Sequence, residues 1–269
     1  MTTPMTSTDN TPAVLHEQDA HGVVRLTMNR PATFNALSEE MLAALQAALD
    51  AVAQDETARV VVLAAAGKAF CPGHNLKEMI AQPELAYYQK LFAQCSRMML
   101  AIQNLPVPVI ARVQGIATAA GCQLVAQCDL AVASTEARFA VSGVNLGLFC
   151  STPSVPLLRN MAAKPAMEML LTGDFINAQQ ALERHLVNRV AAPDQLDAQV
   201  DALVASILAK PRVAIAMGKE LFYRQRDMGI ASAYQLAGQT MAVNMMDASA
   251  QEGVRAFTEK RPPSWKPAA

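Results

Sequence analysis

The chain has 269 residues, of which 52% are hydrophobic and 17% are charged. This composition supports one large apolar core, so we expect a single domain of catalytic size with at most a small addition. The net charge of -1 provides no basic excess to neutralise phosphates, which argues against nucleic acid as a partner. Since no uncharged apolar run reaches the roughly 20 residues of a membrane-spanning helix, we expect no membrane partner.

The cysteines and the first residues bear on the cellular compartment. The five cysteines are odd in number and lack the paired short spacings of a zinc site or a disulfide scaffold. Residues 1–12 have neither the features of a secretory signal nor the arginines of a transit peptide, so they are predicted to be a disordered leader. Together these features predict reduced thiols and a cytoplasmic location.

The first elements are a hairpin and a capped helix. Two strand-like segments within residues 13–29 are joined by a tight turn that ends at Gly22. Ser38 precedes two glutamates and then apolar residues at helical spacing, which predicts an amphipathic helix capped by Ser38. The nearly continuous apolar run 59–66 predicts a strand buried on both faces.

Strands and helices then alternate. A helix is predicted over 84–104, a strand over 109–113, a small-residue turn and helix over 115–127, and a strand over 129–133. Alternation of this kind favours an α/β fold with largely parallel strands. From Thr152 onward helical patterns dominate, so we divide the chain into a core at 13–200 and a C-terminal helical region at 201–269.

Three stretches in this order resemble the crotonase (enoyl-CoA hydratase/isomerase) superfamily: GKAFCPGHNLKEM from Gly67, ARVQGIATAAGCQLVAQCDLAVAS from Ala111 and MLLTGDFINAQQALERHLVNRV from Met169. The resemblance implies an α/β protein with a repeated ββα spiral core and a C-terminal helical trimerisation region. It also implies an acyl-CoA thioester as ligand, assembly as a homotrimer or dimer of trimers, no metal, and no cofactor beyond the CoA moiety of the substrate.

The resemblance further implies an oxyanion hole made of main-chain groups. Carried over by position, its donors are the N–H groups of His74 and Ala120. Gly73 permits an unusual backbone conformation, and the small residues before Gly121 open a helix whose free N–H groups attract negative charge. The alternative is that the small residues only allow a close approach of helix and sheet.

At two positions the chain departs from the family's hydratases. The resemblance places two catalytic glutamates there, but this chain has Gln123 and Gly143. A carboxamide does not take up a proton near neutral pH, and glycine has no side chain, so standard hydration is in doubt. The segment GVNLGLFCSTP instead resembles a branch of the family called enoyl-CoA hydratase domain-containing protein 3.

Other residues are candidates for chemistry. The His74 imidazole titrates in a useful range, and Glu78 is a carboxylate near the first motif, although a solvated charge would explain it equally well. Gln123 could order a water molecule. Cys150 suggests acyl transfer but lacks an activating base nearby in sequence, and Ser151 is expected as a helix N-cap instead.

The resemblance also implies contacts with CoA. The substrate-binding positions are Lys68, Phe70, Leu76, Gly121 and Lys260, of which Lys260 would reach CoA phosphates from a neighbouring subunit. Either lysine could equally be a solvated surface charge.

Three functions follow as hypotheses. The first is a crotonase-family enzyme that binds acyl-CoA and stabilises a thioester enolate, named for enoyl-CoA hydratase although both usual glutamates are missing. The second is an acyl-CoA thioester hydrolase or another crotonase reaction, with water held by Gln123 or His74. The third is a non-catalytic acyl-CoA-binding protein.

Overall fold

A computed structural model describes residues 11–265. Residues 1–10 of the predicted leader lie outside the described residues. The strands are β1 Val14–Gln18, β2 Val23–Met28, β3 Val60–Ala65, β4 Val109–Val113, β5 Ile116–Thr118, β6 Leu130–Ser134, β7 Arg138–Ala140, β8 Ile176–Asn177 and β9 Arg189–Ala191. The helices are α1 Glu39–Gln54, α2 Leu76–Ala81, α3 Leu85–Asn104, α4 Ala120–Gln127, α5 Ser151–Asn160, α6 Ala163–Thr172, α7 Ala178–Glu183, α8 Leu196–Leu208, α9 Arg212–Gln225, α10 Ile230–Met245 and α11 Ala248–Thr258.

The strands form two sheets that the chain visits in turn. The larger sheet has the order β1-β2-β3-β4-β6-β9, and only its β1–β2 pair is antiparallel. The smaller sheet has the order β5-β7-β8. The strands β4 and β5 are followed by α4, and the strands β6 and β7 are followed by helical turns that lead to α5. In each pair the first strand joins the larger sheet and the second joins the smaller one. This confirms the predicted α/β fold with largely parallel pairing.

The predicted hairpin and capped helix are both present. Asp19 accepts hydrogen bonds from the main-chain N–H groups of His21 and Val23, which fixes the turn between β1 and β2. Ser38 Oγ accepts from Met41 N at 3.1 Å and caps α1. The apolar stripe of α1 is buried as its spacing predicts.

The larger sheet is covered on both faces, and every residue of β3 is buried. One face packs against the main core, which includes α1, α3 and α4. The other face packs against α8 through a smaller apolar cluster: Val60, Val62, Ile110, Val132, Leu196, Val200 and Val204. A rigid sheet therefore lies behind the loops that follow its strands.

Several short strands differ from the sequence-based expectation. The turn and helix predicted over 115–127 begins with β5, because its N–H and carbonyl groups pair with the loop before α2 and with β7. The strands β8 and β9 have two and three residues, too few for a period-two pattern to appear in the sequence. Ser151 is the first residue of α5, and its N-cap is Cys150.

The last three helices lie largely outside the core. Helix α10 has no buried residue among its described positions, and α9 buries only Lys219. Lys219 Nζ lies 2.7 Å from Asp129 Oδ2 and donates to the carbonyls of Ile102 and Val107, which fastens α9 to the core. The boundary predicted after residue 200 falls within α8 and stays a prediction, as does a role of these helices in trimerisation. No helix among residues 11–265 is long and apolar enough to cross a membrane.

Candidate active site

The loop between β3 and α2 is held from both sides by the amide side chains of Asn35 and Gln114. Asn35 Nδ2 donates to the carbonyls of Ala66 and Ala69 at 2.9 and 3.1 Å. Gln114 Nε2 donates to the carbonyls of Gly67 and Ala69 at 3.0 and 3.1 Å. Asn35 is fully buried. These bonds satisfy loop carbonyls that would otherwise be unpaired, and they fix the loop relative to the sheet.

Strand β5 continues this attachment to the end of the loop. The Phe70 N–H donates to the Ile116 carbonyl at 3.0 Å, and Thr118 Oγ1 donates to the Pro72 carbonyl at 2.9 Å. The next residue, Gly73, has a φ of +105°, a backbone conformation that residues with a side chain rarely adopt. The loop therefore positions Gly73 and His74 next to the segment that follows β5.

The N-terminus of α4 meets the loop at Gly73. A Cβ atom built on Gly73 would lie only 3.2 Å from Ala120 N, the first amide of α4. The preceding residue, Ala119, has φ 48° and ψ -120° and gives α4 no side-chain cap. Its own N–H donates to the Ala140 carbonyl at 2.9 Å, so β7 holds this strained residue in place.

The two predicted oxyanion donors are brought to one place by this arrangement. Across residues 11–265, neither the His74 N–H nor the Ala120 N–H donates a hydrogen bond to the protein. Ala120 also has the positive end of the α4 dipole behind it. The assignment of these donors stays a prediction; the structure shows that both N–H groups lack a protein acceptor and belong to segments that approach each other at Gly73.

Gly121 owes its identity to close packing. A Cβ atom on Gly121 would lie 2.0 Å from the Cys71 carbonyl oxygen, which is far inside van der Waals contact. Gly121 therefore supports the close-packing alternative, and the same packing brings α4 against the loop that presents His74. The oxyanion-hole alternative stays a prediction.

The side chain of His74 contacts the segment that precedes α1 and the helix α3. Its Nδ1 lies 3.3 Å from the Leu37 carbonyl, and its ring meets the Phe92 ring edge-on at 5.5 Å. Its Nε2 is buried and has no hydrogen-bond partner among the described residues. Burial lowers the pKa of His74 below its usual 6.5, so the imidazole is neutral at pH 7.

Gln123 lies one turn into α4 and is 4% exposed. Its main-chain N–H donates to the Ala119 carbonyl at 3.0 Å, whereas its Oε1 is buried without a partner in the described structure. An unpaired buried acceptor is costly, so this atom calls for a donor from a ligand or a water molecule.

Gly143, the second position where the resemblance predicts a missing glutamate, is closed by packing. A Cβ atom on Gly143 would lie 2.5 Å from the Leu148 carbonyl oxygen and 2.7 Å from Cys150 Sγ. Cys150 Sγ also accepts from the Gly143 N–H at 3.3 Å. Burial raises the pKa of the Cys150 thiol, which keeps it protonated and argues against the acyl-transfer reading.

Glu78 is engaged in local structure. Its Oε2 accepts from the Glu39 N–H at the start of α1 at 3.1 Å, and its Oε1 accepts from Asn75 Nδ2 at 3.1 Å. Asn75 in turn caps α2. Glu78 therefore ties α2 to the positive end of α1, where a carboxylate is stabilised.

The residues predicted to contact CoA do not all lie together in the structure. Lys68 lies at the surface with its Nζ 5.5 Å from the centroid of the Phe34 ring, and Leu76 is 49% exposed at the start of α2. The Phe70 side chain is fully buried, which leaves its backbone as the part that a ligand could meet. Within residues 11–265, no hydrogen bond or ion pair links Lys260 to the other positions. No cluster of three or more His, Cys, Asp or Glu among the described side chains could hold a metal ion.

Comparison with known proteins places the chain in a family. The model of the enoyl-CoA hydratase/isomerase family matches residues 18–268. The chain belongs to this family. A relative from Xenopus laevis, named enoyl-CoA hydratase domain-containing protein 3, mitochondrial, is 43% identical over 256 residues, which cover 95% of this chain and 87% of the relative. The resemblance to that branch is thereby confirmed.

Solved structures of the family have the same fold. The crystal structure of an enoyl-CoA hydratase from Mycobacterium smegmatis has a TM-score of 0.94 and 64% identity, and the match covers 95% of this chain and 99% of that one. The human enoyl-CoA hydratase domain-containing protein 3 has a TM-score of 0.90 and 41% identity, with 94% and 100% covered.

One prediction is wrong by these comparisons. The relatives from Xenopus, rat and human are named as mitochondrial proteins, which contradicts the predicted cytoplasmic location. The physical reason is that free thiols indicate only a reducing compartment, and several compartments meet that condition.

Proposed function

We propose that the chain binds an acyl-CoA thioester and stabilises the enolate of its acyl group between the His74 and Ala120 N–H groups. The observation that carries this proposal is the contact of Gly73 with Ala120 N, next to two N–H groups that bond to nothing in the described protein. A site of this kind stabilises an oxygen that gains negative charge, and one donor is typically worth about 3 kcal/mol of barrier.

The proposed reaction differs from hydration by a pair of glutamates. Gln123 cannot exchange a proton near neutral pH, and the space beyond Gly143 is filled by the Leu148 carbonyl and Cys150 Sγ. The sequence contains no Asp or Glu between Glu136 and Glu168 that could replace the second acid. The proposal therefore assigns this chain the fold of the family but not the pair of acidic side chains that hydration uses.

The binding test uses titration calorimetry with butyryl-CoA, a saturated thioester that cannot be hydrated. Binding that competes with crotonyl-CoA supports the proposal, and CoA alone should bind more weakly because it offers no thioester oxygen. If neither thioester binds at millimolar concentration, the proposal fails.

Product analysis separates the possible reactions. With crotonyl-CoA, mass spectrometry distinguishes a 3-hydroxyacyl-CoA, formed by hydration, from free CoA, formed by hydrolysis. Thioester hydrolysis is the second candidate function, and the unpaired Oε1 of Gln123 favours it because that atom can accept a hydrogen bond from water. Binding without turnover over a broad set of thioesters would instead indicate a non-catalytic acyl-CoA-binding protein.

A matched pair of variants tests the missing acids. Gln123→Glu keeps the side-chain length and places a carboxyl group in a site that is 4% exposed, where burial raises its pKa toward a useful range. Gly143→Glu would drive side-chain atoms into Leu148 and should lower stability before it adds an acid. Gain of hydration in Gln123→Glu alone would show that one acid completes the site.

We further propose that the protein assembles as a homotrimer or a dimer of trimers through its C-terminal helices. Large apolar side chains are exposed on α9 to α11 and at the C-cap of α10: Phe222, Ile230, Tyr234, Met241, Val243, Met246 and Phe257. Apolar surface of this extent is unusual on a monomer. In such an assembly, Lys260 would be free to reach CoA bound by a neighbouring subunit. A monomeric sedimentation profile at micromolar concentration would contradict this proposal.

A further inference from the structure

We propose that the imidazole of His74 is the group that removes and returns the proton at C2 of the bound acyl thioester. This inference rests on the proposed acyl-CoA function and adds the proton carrier that the missing glutamates leave unassigned. The residue would then have two functions: its main-chain N–H would hold the thioester oxygen, and its side chain would accept the proton.

The tautomer follows from the hydrogen bond of the ring. A carbonyl oxygen only accepts, so the 3.3 Å contact with the Leu37 carbonyl requires that Nδ1 carries the hydrogen. Nε2 then has the free lone pair, and it is the ring nitrogen that has no partner in the described protein. This is the arrangement of a general base whose orientation is fixed by a second group.

The position of Nε2 suits the substrate atom. Nε2 belongs to the same residue as the N–H group that would hold the thioester oxygen. C2 of a thioester is bonded to the carbonyl carbon, so it lies close to the oxygen held by that N–H. The Leu37 carbonyl, 3.3 Å from Nδ1, and the Phe92 ring, 5.5 Å away between centroids, fix the orientation of the imidazole.

The surroundings keep the base neutral. Burial is the main cause that lowers the pKa of His74, and the hydrogen bond with Leu37 opposes it. Ionisable groups lie on all three neighbouring helices, among them Glu39 of α1, Glu78 of α2 and Tyr87 of α3, but only burial and the Leu37 carbonyl shift the pKa of His74. Glu78 is occupied by hydrogen bonds to Asn75 and to the N-terminus of α1, which leaves His74 without a carboxylate partner.

The proton transfer is balanced without a further reactant. The C2–H bond breaks as its proton bonds to Nε2, and the electron pair moves into the C1–C2 bond. The C1–O π pair moves onto the thioester oxygen, which the two N–H groups hold. The reverse step returns a proton to C2, so in D₂O a deuteron taken up by Nε2 would appear on the acyl chain.

The experiment measures this exchange with butyryl-CoA in D₂O by mass spectrometry, with binding measured in parallel. Wild-type protein should add deuterium at C2, and His74→Gln should bind with similar affinity yet exchange at least about 100-fold more slowly, the usual contribution of a general base. The matched control is His16→Gln, because His16 is exposed on β1. The wild-type rate should fall as the pH drops through a value below 6.5.

A second variant keeps the test decisive if glutamine disturbs the fold. His74→Ala leaves a space for added imidazole, and restored exchange by imidazole supports a proton-transfer role that packing alone would not explain. Binding by the wild type without exchange, or exchange by His74→Gln at the wild-type rate, overturns the inference and leaves acyl-CoA binding intact. No binding by the wild type overturns the proposed function itself.

Discussion

Replacing Gly73 with alanine should close the proposed oxyanion hole. The added Cβ would lie 3.2 Å from Ala120 N and 3.0 Å from Ala119 Cβ. An oxygen that accepts from Ala120 must approach that nitrogen to roughly 2.7–3.1 Å, so the methyl group takes the same space. Loss of one donor costs about 3 kcal/mol, which corresponds to a decrease of about 100-fold or more in the rate of C2 exchange.

The assay must separate this effect from backbone strain. Gly147→Ala is a suitable control, because Gly147 also has a positive φ, of +77°, but a Cβ there would meet nothing within 4 Å. Both variants carry the left-handed penalty of about 1 kcal/mol, and urea unfolding measures it directly. A folded Gly73→Ala protein that exchanges C2 within a few-fold of the Gly147→Ala rate would refute the assignment of the hole.

Three further outcomes are expected. Gly121→Ala should lower the free energy of unfolding by about 3 kcal/mol or more, since its Cβ would meet the Cys71 carbonyl oxygen at 2.0 Å; an unchanged urea midpoint would contradict the packing. Lys219→Met should cost about 3–5 kcal/mol, because it leaves the carboxylate of Asp129 without its buried cation; thermal unfolding measures the loss, and a shift within error would contradict it. All five buried thiols should resist a thiol reagent at pH 8 until the protein is denatured, because burial raises the pKa of three of them to about 12; rapid labelling of the native protein would contradict this.

The sequence predicts best those elements in which the pattern of apolar residues extends over many positions. The stripe of α1 and the continuous apolar run of β3 extend over enough residues to show a period or its absence, and both are as expected. The strands β8 and β9 are too short to do so. Only the fold reveals the link between Lys219 and Asp129, because the two residues are 90 positions apart.

The residues of the candidate site also fall into those that the sequence reveals and those that only the fold reveals. Gly73 and Gly121 are visible in the sequence because a small residue is required at each, and the structure gives the distances that require it. Sequence could not show that Asn35 and Gln114 hold the loop, since an amide bonded to distant carbonyls has no local pattern. Nor could it show which ring nitrogen of His74 is free.

Main-chain and side-chain groups in this site respond differently to amino-acid substitution. A main-chain donor depends on backbone conformation, so it persists as long as Gly73 and the strained residue Ala119 keep the loop and α4 in place. Acid and base groups are single side chains, and one substitution removes or adds them without disturbing that backbone. Under the proposed function, the main-chain donors are kept while Gln123 replaces an acid, and an enolate can still form if another side chain handles the proton. His74 has the burial, the fixed tautomer and the free nitrogen for this role, so the chemistry should follow the position of its Nε2.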